Sequence, residues 1–492
     1  MGDQAVLGWQ YNLFGNLDMV WLKEPDTSAI EKIVRRELDI PETVSYTVTF
    51  LAEGAFNKVY DVQYGPGKHY IMRIAAPVQP QLKTSSEVAT IKYVRQNTDI
   101  PIPTVLKFDL VHDNELGFEW MLMEYLPGPK LDEQWRFMTW PKKELLVREV
   151  AALFMQLFQQ RLPTIGNLYM NKNQQFGQGQ DVELVFFWEY HLEFKVPRGP
   201  FSSSQEWLRA SLDLQLQAMD HPAEVISEPY DDSDEEAARN ESLRRTTWIK
   251  DLDQRLIELL PRILSADEPQ IFTLHHHDLH GNNIFVDANH ELSGIIDWEC
   301  MPTVPLWVAC EIPKFLQTLL DRDVPPDPNW YSTKILEGSS KDASDGGSNH
   351  APDNEYEADN VELYYDRLEG HEKPKLRTLF LEKMQRACPE WVEVYQNNKA
   401  KAGLVEAVAA LGNNWQTWLV DKWITAVEEH GFAPSISNMA RTYEQAVIWD
   451  NRDGWFDGAM AKAAEEQGID TYTAENADTS SDDETSDKYE LI

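Results

Sequence analysis

The clearest alternation of apolar and polar positions runs from Tyr46 to Ala76, through YTVTFLAEGAFNKVYDVQYGPGKHYIMRIAA. β-Branched and aromatic residues alternate there with polar ones, the period that sends successive side chains to opposite faces of a sheet. Gly54 and then Gly65-Pro66-Gly67 interrupt the pattern, so it predicts three antiparallel strands. Ahead of it, SAIEKIVRRELD sets Ile30, Ile33, Val34 and Leu38 at helical spacing behind Ser28 as a cap, which predicts a leading helix. Behind it, TSSEVATIKYVRQN places Val88, Ile91 and Val94 on one face of a helix that starts at Thr84 or Ser85, and Pro101 and Pro103 stop it. Two further strand-like runs follow, TVLKFDLVHD and FEWMLMEYL, closed by Pro127-Gly128.

Past residue 135 the period changes. VREVAALFMQLFQQ, SQEWLRASLDLQLQAM and TTWIKDLDQRLIELLPRIL are amphipathic at helical spacing, as are VELYYDRLE and the run from Lys373 to about Glu429. Strand signals return only at NNIFVD and LSGIID, a hairpin pair around Ala288-Asn289-His290. The pattern predicts an α+β chain of two lobes, a small antiparallel sheet followed by a larger, mainly helical part. The expected divisions are an extension with a helix over 1–40, the small lobe over 41–126, the larger lobe over 127–465 and a tail over 466–492. Acidic, Ser-rich composition marks residues near 226–242 and 337–360, and the tail, as disordered inserts.

The chain has 492 residues, more than one core usually serves, in keeping with two lobes. Its 82 acidic against 44 basic residues give a net charge of -38, which repels phosphate backbones and argues against nucleic acid as a partner. The same field would attract a cationic small molecule. Three scattered cysteines, Cys300, Cys310 and Cys388, point to a reducing compartment. No run of about 18 apolar residues is present to span a membrane. The first residues lack the Arg-rich character of a transit peptide, so a cytoplasmic rather than mitochondrial location is expected.

Chemistry concentrates in LHHHDLHGNNIFVD and the following GIIDWE. Phosphoryl transfer to a hydroxyl needs a carboxylate to orient the nucleophile and take its proton, and oxygen ligands for a magnesium ion on the phosphates. Asp278 suits the first task; Asn283, five positions on, and Asp297, fourteen beyond that, suit the second. Histidines 275, 276, 277 and 280 raise the alternative of zinc. No cysteine lies nearby, however, and Asp278, Asn283 and Asp297 prefer a hard cation. His276, Asp278 and Asn283 reproduce the His-x-Asp-x-x-x-x-Asn spacing of kinases. In the same frame Gly54, Ala55, Phe56 and Asn57 form a loop over nucleotide phosphates. Arg73 stands where a kinase has its phosphate-binding Lys, with Glu87 as its helical partner. Glu124 and Tyr125 fall at the hinge that meets adenine.

The anchors AEGAFNKVY, SSEVATIKYVR, IPIPTVL, MLMEYLPG, HHDLHGNN and IIDWE, spread from about Val48 to Phe315, resemble the aminoglycoside phosphotransferase family. That family sits with choline kinases in the kinase-like superfamily. AEG-x-FNKVY with Arg73 and SEVAT is similar to the fungal branch that includes altered inheritance of mitochondria proteins.

The resemblance implies a bilobal protein-kinase-like fold and transfer of the γ-phosphate of ATP, with GTP as the other nucleotide option, to a hydroxyl of a small molecule. It implies Asp278 as catalytic base, Asn283 and Asp297 as magnesium ligands, and His276 and His280 as supports of the loop. Two departures stand out. His277 replaces a Gly and is expected to crowd the loop, and Arg73 replaces a Lys, which weakens the case for an antibiotic substrate. A kinase-fold scaffold without turnover is the competing expectation. A protein kinase is disfavoured, since WECMPTVPLWVACEI after Asp297 lacks the Asp-Phe-Gly and Ala-Pro-Glu elements. The acceptor is expected between Asp278 and the helices from residue 373 onward, where Trp391, Trp415, Trp418 and Trp423 would suit a cationic or amphipathic alcohol, although Trp on helices more often builds core.

Overall fold

The computed structural model describes residues 6–11, 17–65, 67–188, 190–221, 235–318, 320–327, 355–413, 416–448, 454–467 and 469. The chain divides into two compact units: Met1–Tyr190, Phe272–Val304 and Ala309–Val392 form the first, and His191–Ile271, Pro305–Val308 and Glu393–Ile492 the second. The expected small lobe and the catalytic segment therefore share one unit.

In the first unit a hairpin, β1 (Leu7–Tyr11) and β2 (Leu17–Trp21), precedes helix α1 (Thr27–Glu37). The hairpin was not expected from the sequence. The cap of α1 is Asp26 and not Ser28: the Asp26 carboxylate accepts the Ser28 N–H at 2.9 Å. Three antiparallel strands follow, β3 (Tyr46–Glu53), β4 (Asn57–Tyr64) and β5 (Lys68–Ala75), then helix α2 (Leu82–Asn97) and strands β6 (Val105–Asp109) and β7 (Glu119–Glu124). They pair in the order β3-β4-β5-β7-β6, with Arg73 of the central strand opposite Val59 on one side and Met121 on the other.

The period of two now has a structural meaning. Met72 and Ile74 face a core built with Ile30, Ile33 and Val34 of α1 and with Tyr60, Val62, Trp120 and Leu122. Arg73 points to the opposite face, toward α2. Val88, Ile91 and Val94 of α2 are buried as the sequence pattern requires, but so are Lys83, Ser86, Glu87 and Thr90. Helix α2 is buried on its polar side as well, which a one-sided apolar stripe does not anticipate.

Helix α3 (Trp140–Gln159) buries Leu146, Val150, Phe154 and Leu157, and Phe154 meets Phe380 of the helix Glu355–Ala387 edge to face at 5.7 Å. The strands Ile284–Val286 and Leu292–Ile295 form the expected hairpin, with Ile284 opposite Ile295. Its turn is tied by the Asp287 carboxylate, which accepts the N–H groups of Asn289 (2.8 Å) and Glu291 (2.9 Å). Strand structure returns earlier than expected: Gly166–Met170 pairs with Phe176–Gln178 and with Pro302–Pro305.

The second unit is helical, with Ser204–Met219, Glu235–Ile263, Lys399–Ala410, Thr417–His430, Ile436–Ile448 and Trp455–Glu466. Residues 226–234, 337–354 and 474–492 of the expected inserts and tail lie outside the described residues. Residues 235–242 and 355–360 begin long helices, because Glu, Ala and Arg there are strong helix formers despite their charge. No helix among the described residues is long and apolar enough to cross a membrane.

Trp391 and Trp423 are each 1% exposed. Trp418 packs on Tyr443 and Trp455. Trp391 and Trp423 thus build core, the commoner role of Trp on helices, and offer no wall to an acceptor; Trp415 lies outside the described residues.

Candidate active site

The loop from His275 to Asn283 is held by its own side chains. His276 is buried, and its Nε2 lies 2.9 Å from the Ile296 carbonyl oxygen, to which it donates; its ring meets Trp298 edge to face at 4.7 Å. Burial pushes this imidazole down to about 4, so it is neutral and serves as a fixed donor. His280 caps the short turn Gly281–Asn283, its Nδ1 accepting the Asn282 N–H at 3.2 Å. That leaves the hydrogen on Nε2, 3.4 Å from Asp278 Oδ2. The Asn283 amide nitrogen donates to the Asp278 carbonyl at 2.9 Å, which leaves Oδ1 as the atom that can meet a cation. The Ile296 N–H donates to the Asn283 carbonyl at 3.0 Å. One hydrogen-bonded chain thus runs from Asp278 through Asn283 to the residue before Asp297. His277 is exposed, so its replacement of a glycine does not crowd the loop.

Asp297 adopts φ 67°, a left-handed conformation unusual for aspartate and of the kind found where a site constrains the backbone. Its Oδ1 accepts from Arg73 Nη2 at 2.9 Å. Arg73 Nη1 lies 3.1 Å from Glu87 Oε1, so strand β5 and helix α2 supply the expected pair. Two residues absent from the sequence reading complete the cluster. Glu299 Oε2 lies 3.1 Å from Arg73 Nη2 and 2.6 Å from Lys83 Nζ, and it accepts from Asn57 Nδ2 at 2.7 Å. Lys83, 1% exposed, also donates to Asn57 Oδ1 at 3.3 Å. Burial pushes Glu87 up against the pull of Arg73. Burial acts on Glu299 too, yet Lys83 and Arg73 together hold it well below the ordinary carboxylate range.

Asn57 therefore fastens the turn between β3 and β4 to the segment after Asp297. Phe56 in that turn is buried against Phe187 (5.4 Å) and Trp188 (6.0 Å), in a cluster that takes in Trp9 and Trp21 of the β1–β2 hairpin. Gly54 and Ala55 are exposed. A Cβ added to Gly54 would meet nothing nearer than Asn57 O at 4.0 Å, so the turn itself makes no demand for glycine. At the hinge, the Glu124 carboxylate accepts the Thr104 N–H at 2.9 Å and its own N–H donates to Thr104 O at 3.0 Å. One backbone group expected to meet adenine is thus engaged. The Tyr125 ring lies against His69 at 4.1 Å.

A third unanticipated residue stands beside Asp278: Lys314 Nζ donates to Asp278 Oδ1 at 2.8 Å. Burial raises the Asp278 carboxyl, but the hydrogen bond and charge of Lys314, with His280 assisting, hold it below its ordinary value.

The zinc alternative finds no geometry. His275 is paired with Glu311, His276 with a carbonyl and His280 with a backbone N–H, and no group of three His, Cys, Asp or Glu side chains arranged to hold a metal ion is present among the described residues. An amide oxygen from Asn283 and a carboxylate from Asp297 are instead a sparse, hard, all-oxygen set. It suits magnesium, which keeps waters and phosphate oxygens in the rest of its shell.

Residues 47–308 match the model of the phosphotransferase enzyme family. A subtelomeric hrmA-associated cluster protein of Aspergillus fumigatus is 24% identical over 302 residues, 54% of this chain and 59% of that protein, so the match spans little more than half of either. Altered inheritance of mitochondria protein 9 of Yarrowia lipolytica is 25% identical over 198 residues, 34% of each chain. The solved structure of aminoglycoside phosphotransferase APH(4)-Ia superposes with a TM-score of 0.38 at 13% identity, covering 82% of this chain and 96% of that one. Because the family model takes in just over half of its residues, and the site lies within or beside that stretch, the chain belongs to the phosphotransferase enzyme family.

Proposed function

We propose that the protein transfers the γ-phosphoryl group of ATP to a hydroxyl of a small molecule, with Asp278 as the base. The observation that carries this reading is the hydrogen-bonded path from the Asp278 carbonyl to the Asn283 side-chain amide, and from the Asn283 carbonyl to the N–H of Ile296, the residue before Asp297. Asn283 and Asp297 would hold magnesium, which supplies positive charge to the β- and γ-phosphates. Arg73, kept in place by Glu87, offers a second fixed charge to the phosphates. Asp278 orients the acceptor hydroxyl. Its oxygen forms a bond to the γ-phosphorus as the bond from phosphorus to the β–γ bridging oxygen breaks. The electron pair of the broken bond stays on ADP, and the hydroxyl proton passes to the Asp278 carboxylate. A cationic acceptor is favoured by the field of a chain with net charge -38.

Calorimetry with ATP or GTP, with and without magnesium, beside single-turnover phosphorylation of a panel of hydroxylated amines, tests this reading. Asp278→Asn keeps both metal ligands, so nucleotide binding should persist while transfer falls by a factor on the order of 10² or more. Asp297→Asn should weaken the magnesium-dependent part of nucleotide binding itself. The opposite pattern of losses would reverse the two roles. Nucleotide binding with no transfer to any acceptor or to water would favour the scaffold.

A further inference from the structure

We propose that Lys314 is a catalytic residue whose ammonium group stabilises the transferring phosphoryl group while holding one oxygen of Asp278 so that the other faces the acceptor. This inference rests on the phosphotransferase reading of the same site. Lys314 lies 36 positions beyond Asp278 and reaches it from a separate segment, the short turn Lys314–Leu316. That turn is anchored three ways. The Phe315 N–H donates to the carbonyl of Leu279, the residue after Asp278, at 3.0 Å. Arg377 Nη1 donates to the Leu316 carbonyl at 3.0 Å, and the Phe315 ring meets Trp135 edge to face at 6.1 Å. Phe315 and Leu316 are buried, whereas the Lys314 side chain is 45% exposed.

Stability does not account for this arrangement. A half-exposed ion pair contributes at most about 1 kcal/mol, and a pair built only for stability would need no such anchoring. The position of the ammonium does have a chemical consequence. Lys314 takes Oδ1, so Oδ2, approached at 3.4 Å by His280, is the oxygen left for the acceptor hydroxyl. A phosphorus under attack by that hydroxyl must come within bonding range of it. A cation 2.8 Å from Oδ1 then lies within reach of the equatorial phosphoryl oxygens, where negative charge is spread in a loose transition state. When the bond to phosphorus forms and the bond to the bridging oxygen breaks, Lys314 keeps its proton throughout. The hydroxyl proton goes to Asp278 and the leaving electron pair to ADP.

The test uses the full chain with magnesium and ATP, following phosphate transfer to water or to any accepted alcohol. Lys314→Met should lower kcat by a factor on the order of 10², with nucleotide KM and calorimetric affinity altered by less than about threefold because only the transition state loses an interaction. Lys314→Arg should recover part of kcat. Lys314→Cys should be as slow as the Met variant until 2-bromoethylamine converts it to a thioether ammonium of lysine length, which should restore most of the rate. Mass spectrometry verifies that Cys300, which is half-buried, and Cys310 and Cys388, both buried, stay unmodified, and wild-type protein treated in the same way controls for any reaction at Cys300. A Met variant with wild-type kcat overturns the proposal, as does a folded, alkylated Cys variant that regains nothing. If Asp278→Asn abolishes transfer while Lys314→Met transfers at the wild-type rate, the phosphoryl reading stands and only the role of Lys314 falls. If the wild-type chain binds no nucleotide and Asp278→Asn changes no rate, the phosphotransferase reading falls, and this inference with it.

Discussion

Replacing Lys83 by Met removes one of the two cations that hold Glu299. At 2.6 Å the Lys83–Glu299 attraction is about 6 kcal/mol gross in an effective dielectric near 20, most of it offset by the cost of taking both ions out of water. What a substitution measures is the cost of the partner left behind, which is about 3–5 kcal/mol when a buried charge loses its only counter-ion. Glu299 is not abandoned in Lys83→Met, because Arg73 at 3.1 Å and Asn57 at 2.7 Å remain. The expected loss is therefore smaller, about 2 kcal/mol. Glu299→Gln is the harsher change. It leaves Lys83, 1% exposed, with amide oxygens, Asn57 Oδ1 at 3.3 Å among them, and the Phe56 ring at 5.9 Å, but with no carboxylate bound to it, and about 3–4 kcal/mol is expected.

The double variant strands neither ion, and Arg73 keeps Glu87 and Asp297. Its loss should fall short of the sum of the single losses by about 1–3 kcal/mol. Urea unfolding followed by tryptophan fluorescence at pH 7, on all four proteins, completes the cycle. Losses that add to within about 0.5 kcal/mol would refute the claim that these residues form one electrostatic unit.

Other consequences are as direct. His276 titrates near 4 in the fold and near 6.5 when unfolded, so its contribution is present in full above pH 6.5 and is lost as the pH falls toward 4, about 3 kcal/mol in all; in urea unfolding from pH 7 to pH 4.5, His276→Gln should show a shallower loss than wild type, and an identical slope would refute this. Asp253 is buried with neither carboxylate oxygen hydrogen-bonded, and burial, with Asp213 nearby, pushes it up to about 7. Its stabilising contribution is fully present below pH 3.8 and is lost progressively as the pH rises to 7, so Asp253→Asn should stabilise by about 1–3 kcal/mol more at pH 8 than at pH 5, read by unfolding at the two values. Gly54→Ala should leave stability within about 0.5 kcal/mol of wild type while raising the nucleotide KM, since the added methyl finds open space in the turn and obstructs only what approaches it; a stability loss without a change in KM would reverse that reasoning.

The parts of the site that the sequence made legible are those whose geometry is local. Asp278, Asn283 and Asp297 lie on one loop and one short hairpin, so their spacing in the chain nearly fixes their spacing in space. The strands around Gly54 and Gly65 were legible for the same reason: a period of two with turn residues is a short-range signal. Lys83, Glu299 and Lys314 were not legible. Each is a charged residue whose burial or partner depends on a segment tens or hundreds of residues away. Helix α2 shows the limit most sharply, because Lys83 and Glu87 on its polar side are more deeply buried than its sequence pattern allows. The β1–β2 hairpin escaped notice because its strands are five residues each and its Trp residues find their apolar neighbours, Phe56 and Phe187, only after the fold assembles.

The charges of the site set a condition on the ligand. Arg73 and Lys83 face three carboxylates, Glu87, Asp297 and Glu299, leaving the cluster at -1 when all are ionised, while Asp278 and Lys314 cancel. A nucleotide triphosphate brought alone to such a centre, in a chain already at -38, meets no net attraction. In the reading proposed above, a divalent cation held by Asn283 and by Asp297 of the cluster itself would reverse the local sign. Arg73 then has a definite part to play. It bridges Glu87 on α2, Asp297 and Glu299, so any ligand that draws Asp297 toward a metal must be accommodated by the same guanidinium that steadies α2. A planar fork can keep Glu87 on one nitrogen while the other changes partners. An ammonium presents a single point charge and cannot divide itself in that way, which gives a physical reason for arginine at position 73.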